Sequence, residues 1–175
     1  MYQNRLRNYY LEDTNTGETG TKWVVIPSKK HDPKNFDKNV ERLKTLSHKS
    51  WCTKSYNAAP YLSDGDFHVY LENGQPKLGM RFVGNKIQEI QGEKNNSVIP
   101  QQYFDIVMKH INDENLKLKS NAKSQIKYSE ELYTRIIQIK KDLATAIKEN
   151  DVAKILKYWG MDVEEDKDRF LHLKE

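Results

Sequence analysis

Alternating apolar and polar positions predict three consecutive β-strands in the middle of the chain. In DFHVYLE, the residues Phe67, Val69 and Leu71 alternate with polar positions, and KLGMRFV alternates in the same way. The turn signals NGQP and GN separate these runs from each other and from KIQEIQGE, so the three form a meander with one apolar face. Together with the run TKWVVIP, they predict strands near 22–27, 66–72, 77–83 and 86–93.

Apolar residues spaced three and four apart predict helices around these strands. Asp32 followed by Pro33 begins a helix near 33–46, and Pro100 begins another near 100–111. Ser129 is expected to cap a long helix over 129–148, and Asp151 a short one over 152–159. The fold class expected is therefore α+β: a three- or four-stranded antiparallel meander packed with helices, followed by a C-terminal helical extension.

This pattern divides the chain into three parts. Residues 1–111 form an α+β module that begins with an N-terminal loop segment, and residues 112–128 form a basic connector of undecided structure. Residues 129–175 form the helical extension, which can close in a terminal hairpin. The abrupt end LHLKE suggests that the chain is cut from a longer protein.

Composition narrows the classes of site and of partner. The 175 residues include one cysteine and five histidines without the spacing of a zinc-binding pair, so no metal and no cofactor is predicted. No apolar run approaches the ~18 residues that a membrane helix needs, and the N-terminus lacks a signal peptide, which predicts a cytoplasmic protein without membrane contact. The net charge of +4 permits a nucleic-acid partner as well as a protein partner.

Cys52 is the candidate nucleophile of the chain. A thiol enzyme would need a base, for which His68 and His48 are available, and a carboxylate such as Glu93 or Glu89 to orient that base. A structural role for Cys52 is favoured over a catalytic one, because an unpaired cysteine beside Trp51 is typical of a hydrophobic core. His68 alternates opposite the apolar set and is expected on a solvated sheet face.

Amide, basic and aromatic residues supply candidate binding groups. The segment QEIQGEKNN gathers more amides than a turn requires, and the lysines from Lys117 to Lys127 form a basic stretch. Lys86 and Lys77 can add charge at the sheet edge, while Tyr56 offers a ring on which a base can stack. The binding residues expected are Tyr61, Arg81, Glu89, Gln91, Asn95, Asn96, Lys119 and Lys123.

Residues 47–96 resemble a family of mobile-element proteins. WCT, YLSDGDFHVY, GQPKLGMRF and IQEIQGEKNN are similar to the core of the PcfJ-like proteins of conjugative plasmids and to the WCT segments of large phage proteins. A similar module stands at the head of long repeat-bearing gut-bacterial proteins. The matching positions are Cys52, Thr53, Tyr61, Gly65, Glu89, Gln91, Gly92 and Asn95. The resemblance implies a phage or plasmid context and no particular reaction.

Three functional hypotheses follow from the sequence. The first is a non-catalytic accessory or binding module of a phage- or plasmid-type bacterial protein, which binds protein or nucleic acid. The second is a thiol-dependent hydrolase or transferase centred on Cys52. The third is a mobile-element inhibitor of a host defence protein, which the family context permits and no residue supports directly.

Overall fold

The computed structural model describes residues 20–94 and 96–158. The expected N-terminal loop, Asn95 and the expected C-terminal hairpin lie outside the described residues. The chain divides into two compact units, residues 1–125 and 126–175, and the division falls inside one long helix.

The first unit is built on a five-stranded sheet whose strands follow one another in chain order. These are β1 (Thr21–Ile26), β2 (Phe67–Glu72), β3 (Gln75–Val83), β4 (Lys86–Gly92) and β5 (Lys117–Leu118). Strands β1 to β4 are antiparallel, and β5 runs parallel to β4. The α+β class and the antiparallel meander are thereby confirmed, with β5 as an additional strand.

The helices match the expected positions with three differences. They are α1 (Phe36–Leu46), preceded by a 3-10 turn at Pro33–Asn35, then α2 (Ala58–Asp64), α3 (Gln101–Asp113), α4 (Ser120–Lys148) and α5 (Val152–Lys157). The sequence did not indicate α2. The connector 112–128 is not a separate element, because it holds the end of α3, strand β5 and the first turns of α4. Ser129 does not cap a helix, since it is buried inside α4.

A β-bulge gives the sheet two apolar faces instead of one. The register of β2 and β3 shifts between Tyr70 and Leu71, so Val69 lies opposite Gly79 and His68 opposite Met80. Side chains alternate along a strand, so a shift of one residue exchanges the two faces of β3 relative to β2. The apolar residues of β2 therefore point to one side of the sheet and those of β3 to the other.

Helices cover both faces. Trp51 and residues of α1 and α2 pack with Phe67, Val69 and Leu71 on the first face. On the second face, Trp23 stacks on His110 of α3 and His68 stacks on Phe82, while Tyr70 meets Tyr103 edge-on. We refer to these as the α1 face and the α3 face.

Side-chain amides of α4 complete the hydrogen bonding of β4 beyond the short strand β5. The Gln125 carboxamide accepts from the Ile90 amide at 2.9 Å and donates to the Ile90 carbonyl at 3.1 Å. One turn earlier, Asn121 Nδ2 donates to the Gln88 carbonyl. Two amides thus take the place of a neighbouring strand, and they fix the first two turns of α4 beside β4.

Replacing Gln125 with leucine is expected to lower the free energy of unfolding by about 2 kcal/mol, because the buried Ile90 amide and carbonyl lose their partner. The exposed neighbour Ser124 provides the control, since Ser124→Ala should change little. Urea denaturation of both variants measures the difference. Equal stability of the two variants would contradict the role given to the Gln125 amide.

The second unit contains the remainder of α4 and the helix α5. Asp151 caps α5, as expected, because its carboxylate accepts a hydrogen bond from the Lys154 amide. Within the described ranges, no helix combines the length and the apolar character needed to cross a bilayer.

Candidate functional site

Cys52 and Tyr61 meet on the α1 face above β3. The Cys52 thiol donates to the Tyr61 hydroxyl, with the sulfur and oxygen 3.2 Å apart. The Arg81 guanidinium lies over the Tyr61 ring at 3.8 Å from its centroid, and Arg81 Nη2 contacts Asp64 Oδ2 at 3.1 Å. The structure therefore joins three of the expected site residues through one aromatic ring, and α2 supplies both Tyr61 and Asp64.

Glu89 and Gln91 extend this group along β4. Glu89 is the cross-strand neighbour of Arg81, and Gln91 is the neighbour of Gly79, so both amino acids share the α1 face. Arg81 Nε and Gln91 Oε1 are buried and have no hydrogen-bond partner among the described residues. The group is polar and partly exposed, and its charges are largely balanced between Arg81 and its two carboxylate neighbours, Asp64 and Glu89.

The chemistry of this group does not assemble a thiol nucleophile. Burial and the Cys52 contact raise the pKa of Tyr61 to about 12, so its hydroxyl stays protonated at neutral pH and cannot serve as the base for the thiol. His48 Nδ1 lies 2.8 Å from the Ser50 hydroxyl, and its Nε2 is 3.9 Å from Glu93. The described contacts thus give the Cys52 thiol a neutral tyrosine and no histidine.

The expectation of a solvated His68 is wrong. Only 2% of His68 is exposed, because the α3 face of β2 is covered by a helix instead of by water. His68 Nδ1 lies 2.9 Å from Nε2 of His110, which belongs to α3. Since Cys52 belongs to the α1 face, the sheet separates it from His68, and the expected Cys52–His68–Glu93 arrangement is not assembled.

The two buried imidazoles are kept neutral. Burial lowers the pKa of His68 well below its usual range, and the neighbouring His110 lowers it further. Burial also lowers the pKa of His110 to about 4, although Asp113 acts in the opposite direction. His68 Nε2 is buried without a partner among the described residues. If His68 Nδ1 donates to His110, this orphan nitrogen is an unprotonated acceptor, which avoids an unpaired N–H donor.

Glu93 and Asn96 make structural contacts just after the end of β4. Glu93 Oε1 contacts Lys77 Nζ at 2.7 Å, so Lys77 is paired instead of adding free charge to the edge. The Asn96 carboxamide oxygen accepts from the Val98 amide at 3.3 Å, as in an ordinary asparagine turn. Neither side chain contacts Cys52 in the described part of the chain.

Lysines concentrate where β4 and β5 begin. Lys86 and Lys117 are register partners in the parallel pair, so their backbones are about 4.8 Å apart. Lys119 follows two residues later, and its carbonyl accepts the first helical bond of α4, from the Lys123 amide. Lys86, Lys117 and Lys123 are exposed and Lys119 is half-buried. We call these four residues the lysine cluster.

Within the described ranges, no residue of the lysine cluster forms an ion pair with an acidic side chain. Lys44, Lys77 and Lys109, in contrast, are each paired with a carboxylate. Like charges on neighbouring strands repel, and a lysine at the start of a helix meets the positive end of the helix dipole. The arrangement is therefore unfavourable in isolation and becomes favourable when an anion binds.

Most residues that carry the mobile-element resemblance have structural contacts. Trp51 Nε1 donates to the Gly92 carbonyl at 2.8 Å, and the buried Thr53 hydroxyl is 2.7 Å from that of Ser47. A Cβ on Gly65 would lie 2.4 Å from the Phe82 carbonyl oxygen, so only glycine fits there. Trp51 holds the segment before α2 against β4, Thr53 joins that segment to the end of α1, and Gly65 lets the chain after α2 lie against β3, so these are packing roles.

The sequence grouped Lys117 with Lys119 and Lys123 but did not place Lys86 beside them, because the two-residue strand β5 was not recognised. It also missed His110, which lies within the apolar stripe of a helix and carries no local signal of its pairing with His68. The covering of the second face by α3 is the fact that was needed to find the His68–His110 pair.

Comparison with protein-family models, with curated proteins and with solved structures finds no match for this chain. In the described ranges, no three histidine, cysteine or acidic side chains are grouped so that they could hold a metal ion.

Proposed function

We propose that the first unit is a non-catalytic module that binds nucleic acid through the phosphate backbone. The observation that carries the proposal is the placement of Lys86 beside Lys117 without an acidic partner among the described residues. Lysine is fully charged at neutral pH, and each lysine that neutralises a phosphate releases condensed counterions. That release favours binding, and the bound phosphates also relieve the repulsion within the lysine cluster.

The surroundings of the lysine cluster favour nucleic acid over a membrane surface. Membrane-surface segments combine cations with exposed apolar side chains. The exposed large apolar residues in the described ranges are Tyr56, on the loop before α2, and four aliphatic residues of α4 and α5 beyond the first unit. Next to the cluster, Asn121 and Ser120 are polar. A module of this kind suits the phage or plasmid protein that the sequence resembles.

The test is the salt dependence of binding to a fluorescent oligothymidylate. Four lysine–phosphate contacts predict that the logarithm of the association constant falls against the logarithm of salt concentration with a slope of about −3. The double variant K86Q/K117Q should reduce this slope by about 1.4, since two contacts are lost. The control K49Q/K54Q removes the same charge from exposed lysines outside the cluster and should change nothing.

The double variant also tests the repulsion between Lys86 and Lys117. K86Q/K117Q should be slightly more stable to urea than the unaltered protein, although it binds more weakly, because two adjacent like charges are removed. A variant that is both less stable and weaker in binding would indicate a folding defect. Binding that does not change with salt concentration, or equal effects of both double variants, would refute the proposal.

A further inference from the structure

A second group of lysines lies at the same end of the sheet as the lysine cluster, at the opposite edge. Lys29 and Lys30 are exposed and begin three residues after the end of β1. Strand β1 ends where β2 begins, because Ile26 pairs with Phe67, and Phe67 in turn lies opposite Arg81 near the end of β3. Strand β4 begins after the next turn, at Lys86. The topology thus brings both lysine groups to one end of the sheet.

Buried contacts fix the chain between β1 and α1. The Asp66 carboxylate, 2% exposed as a residue, accepts from the Ser28 amide at 2.7 Å and lies 2.7 Å from His31 Nδ1. The Lys29 amide donates to the Leu62 carbonyl at the end of α2. Lys29 Nζ also lies 5.2 Å from the centroid of the Phe36 ring. The backbone that carries Lys29 and Lys30 is therefore anchored to the sheet and to α2, so the pair has a defined position.

A ligand that contacts both Lys29–Lys30 and the lysine cluster must cross the whole end of the sheet. Five neighbouring strands span about 20 Å, and each strand is rotated by about 20 to 25° relative to the last. The ends of β1 and β5 therefore point in different directions, and a flexible strand follows such a surface more easily than a straight duplex. Between the groups lie the turn residues Gly84 and Asn85 and the carboxylate of Asp64, which Arg81 neutralises.

We propose that a single strand of nucleic acid crosses this end of the sheet, with phosphates bound by the lysine cluster at one edge and by Lys29 and Lys30 at the other. This inference rests on the proposed function. Recognition of this kind is independent of base sequence, because the lysines contact phosphates and no base edge. The exposed Tyr56 is not placed on this path, since it lies on the segment after Trp51, which contacts Gly92 at the opposite end of β4.

Binding of oligonucleotides of two lengths tests the crossing path separately from the proposed function. An oligothymidylate of about four nucleotides should reach the lysine cluster alone, whereas one of about twelve should reach both groups. We expect the longer oligomer to bind at least about tenfold more tightly per molecule. The double variant K29Q/K30Q should remove most of that gain and leave binding of the short oligomer unchanged. A duplex of the same length should gain less than the single strand.

The control K49Q/K54Q should leave binding of both oligomers unchanged. If the long oligomer binds through the lysine cluster and K29Q/K30Q has no greater effect than the control, the crossing path is wrong while the proposed function stands. A duplex that equals or exceeds the single strand would also overturn the path. If neither oligomer binds, or anionic vesicles bind as well as the oligomers, the proposed function fails and the path fails with it.

Discussion

Acidification from pH 7 to pH 4 is expected to lower the free energy of unfolding by about 3 kcal/mol through His110 alone. Unfolding restores His110 to its usual pKa of 6.5, whereas in the folded protein its pKa is about 4. Between these values the unfolded chain binds more protons, so stability is complete above pH 6.5 and is lost as the pH falls toward 4. His68, whose pKa is also lowered, adds to this loss as the pH falls below 6.5.

The measurement is urea denaturation at a series of pH values, on the unaltered protein and on the double variant H68F/H110L. Replacing both partners with apolar side chains leaves no buried imidazole to protonate, so the variant should lose markedly less stability over this interval. The variant H48Q is the control, since His48 is not deeply buried and makes polar contacts with Ser50 and Glu93. A parallel decline in all three proteins would assign the acid sensitivity to carboxylates instead of to the histidine pair.

The second apolar face of the sheet, which the sequence did not indicate, has one physical origin. The turn at Asn73 and Gly74 sets Glu72 opposite Gln75 and Leu71 opposite Pro76. Continued without a bulge, that register would place Val69 opposite Leu78 and Phe67 opposite Met80, which is the single apolar face that alternation indicates. The bulge moves the register by one residue and creates a second apolar face for α3 to cover. Alternation within a strand predicts the strand, but it does not report a bulge.

The same distinction between local sequence pattern and tertiary contact applies to the candidate site. The neighbourhood of Cys52, Tyr61, Arg81 and Glu89 contains residues that the sequence had already selected as a candidate nucleophile and as candidate binding groups, although it did not indicate the helix that carries Tyr61. Tertiary contacts decide the chemistry of these residues. His68 lies on the α3 face, away from Cys52, and Arg81 forms an ion pair with Asp64. For the lysines, local composition indicated a basic stretch, whereas the strand pair β4–β5 determines which lysines are adjacent.

Trp51→Ala is expected to cost about 4 kcal/mol of unfolding free energy, the largest effect of any single substitution considered. Trp51 is 2% exposed and packs near Phe67 across the α1 face. Glycine at position 79 makes room for these rings, since a Cβ there would lie 3.2 Å from the Trp51 ring. The truncation therefore opens a cavity over β3 and also leaves the Gly92 carbonyl without its hydrogen-bond donor.

Two further variants separate the contributions of burial and hydrogen bonding. Trp51→Phe retains much of the buried area and loses the indole N–H, so it should cost about half as much as the alanine variant. Tyr56→Ala, which removes an aromatic side chain that is 80% exposed, should cost little. Urea denaturation gives the three values. In Trp51→Ala, Cys52 should also react faster with a thiol reagent under native conditions, because the segment that holds the thiol against Tyr61 is released from β4. Unchanged thiol reactivity in a destabilised Trp51→Ala variant would show that Tyr61 holds Cys52 without help from Trp51.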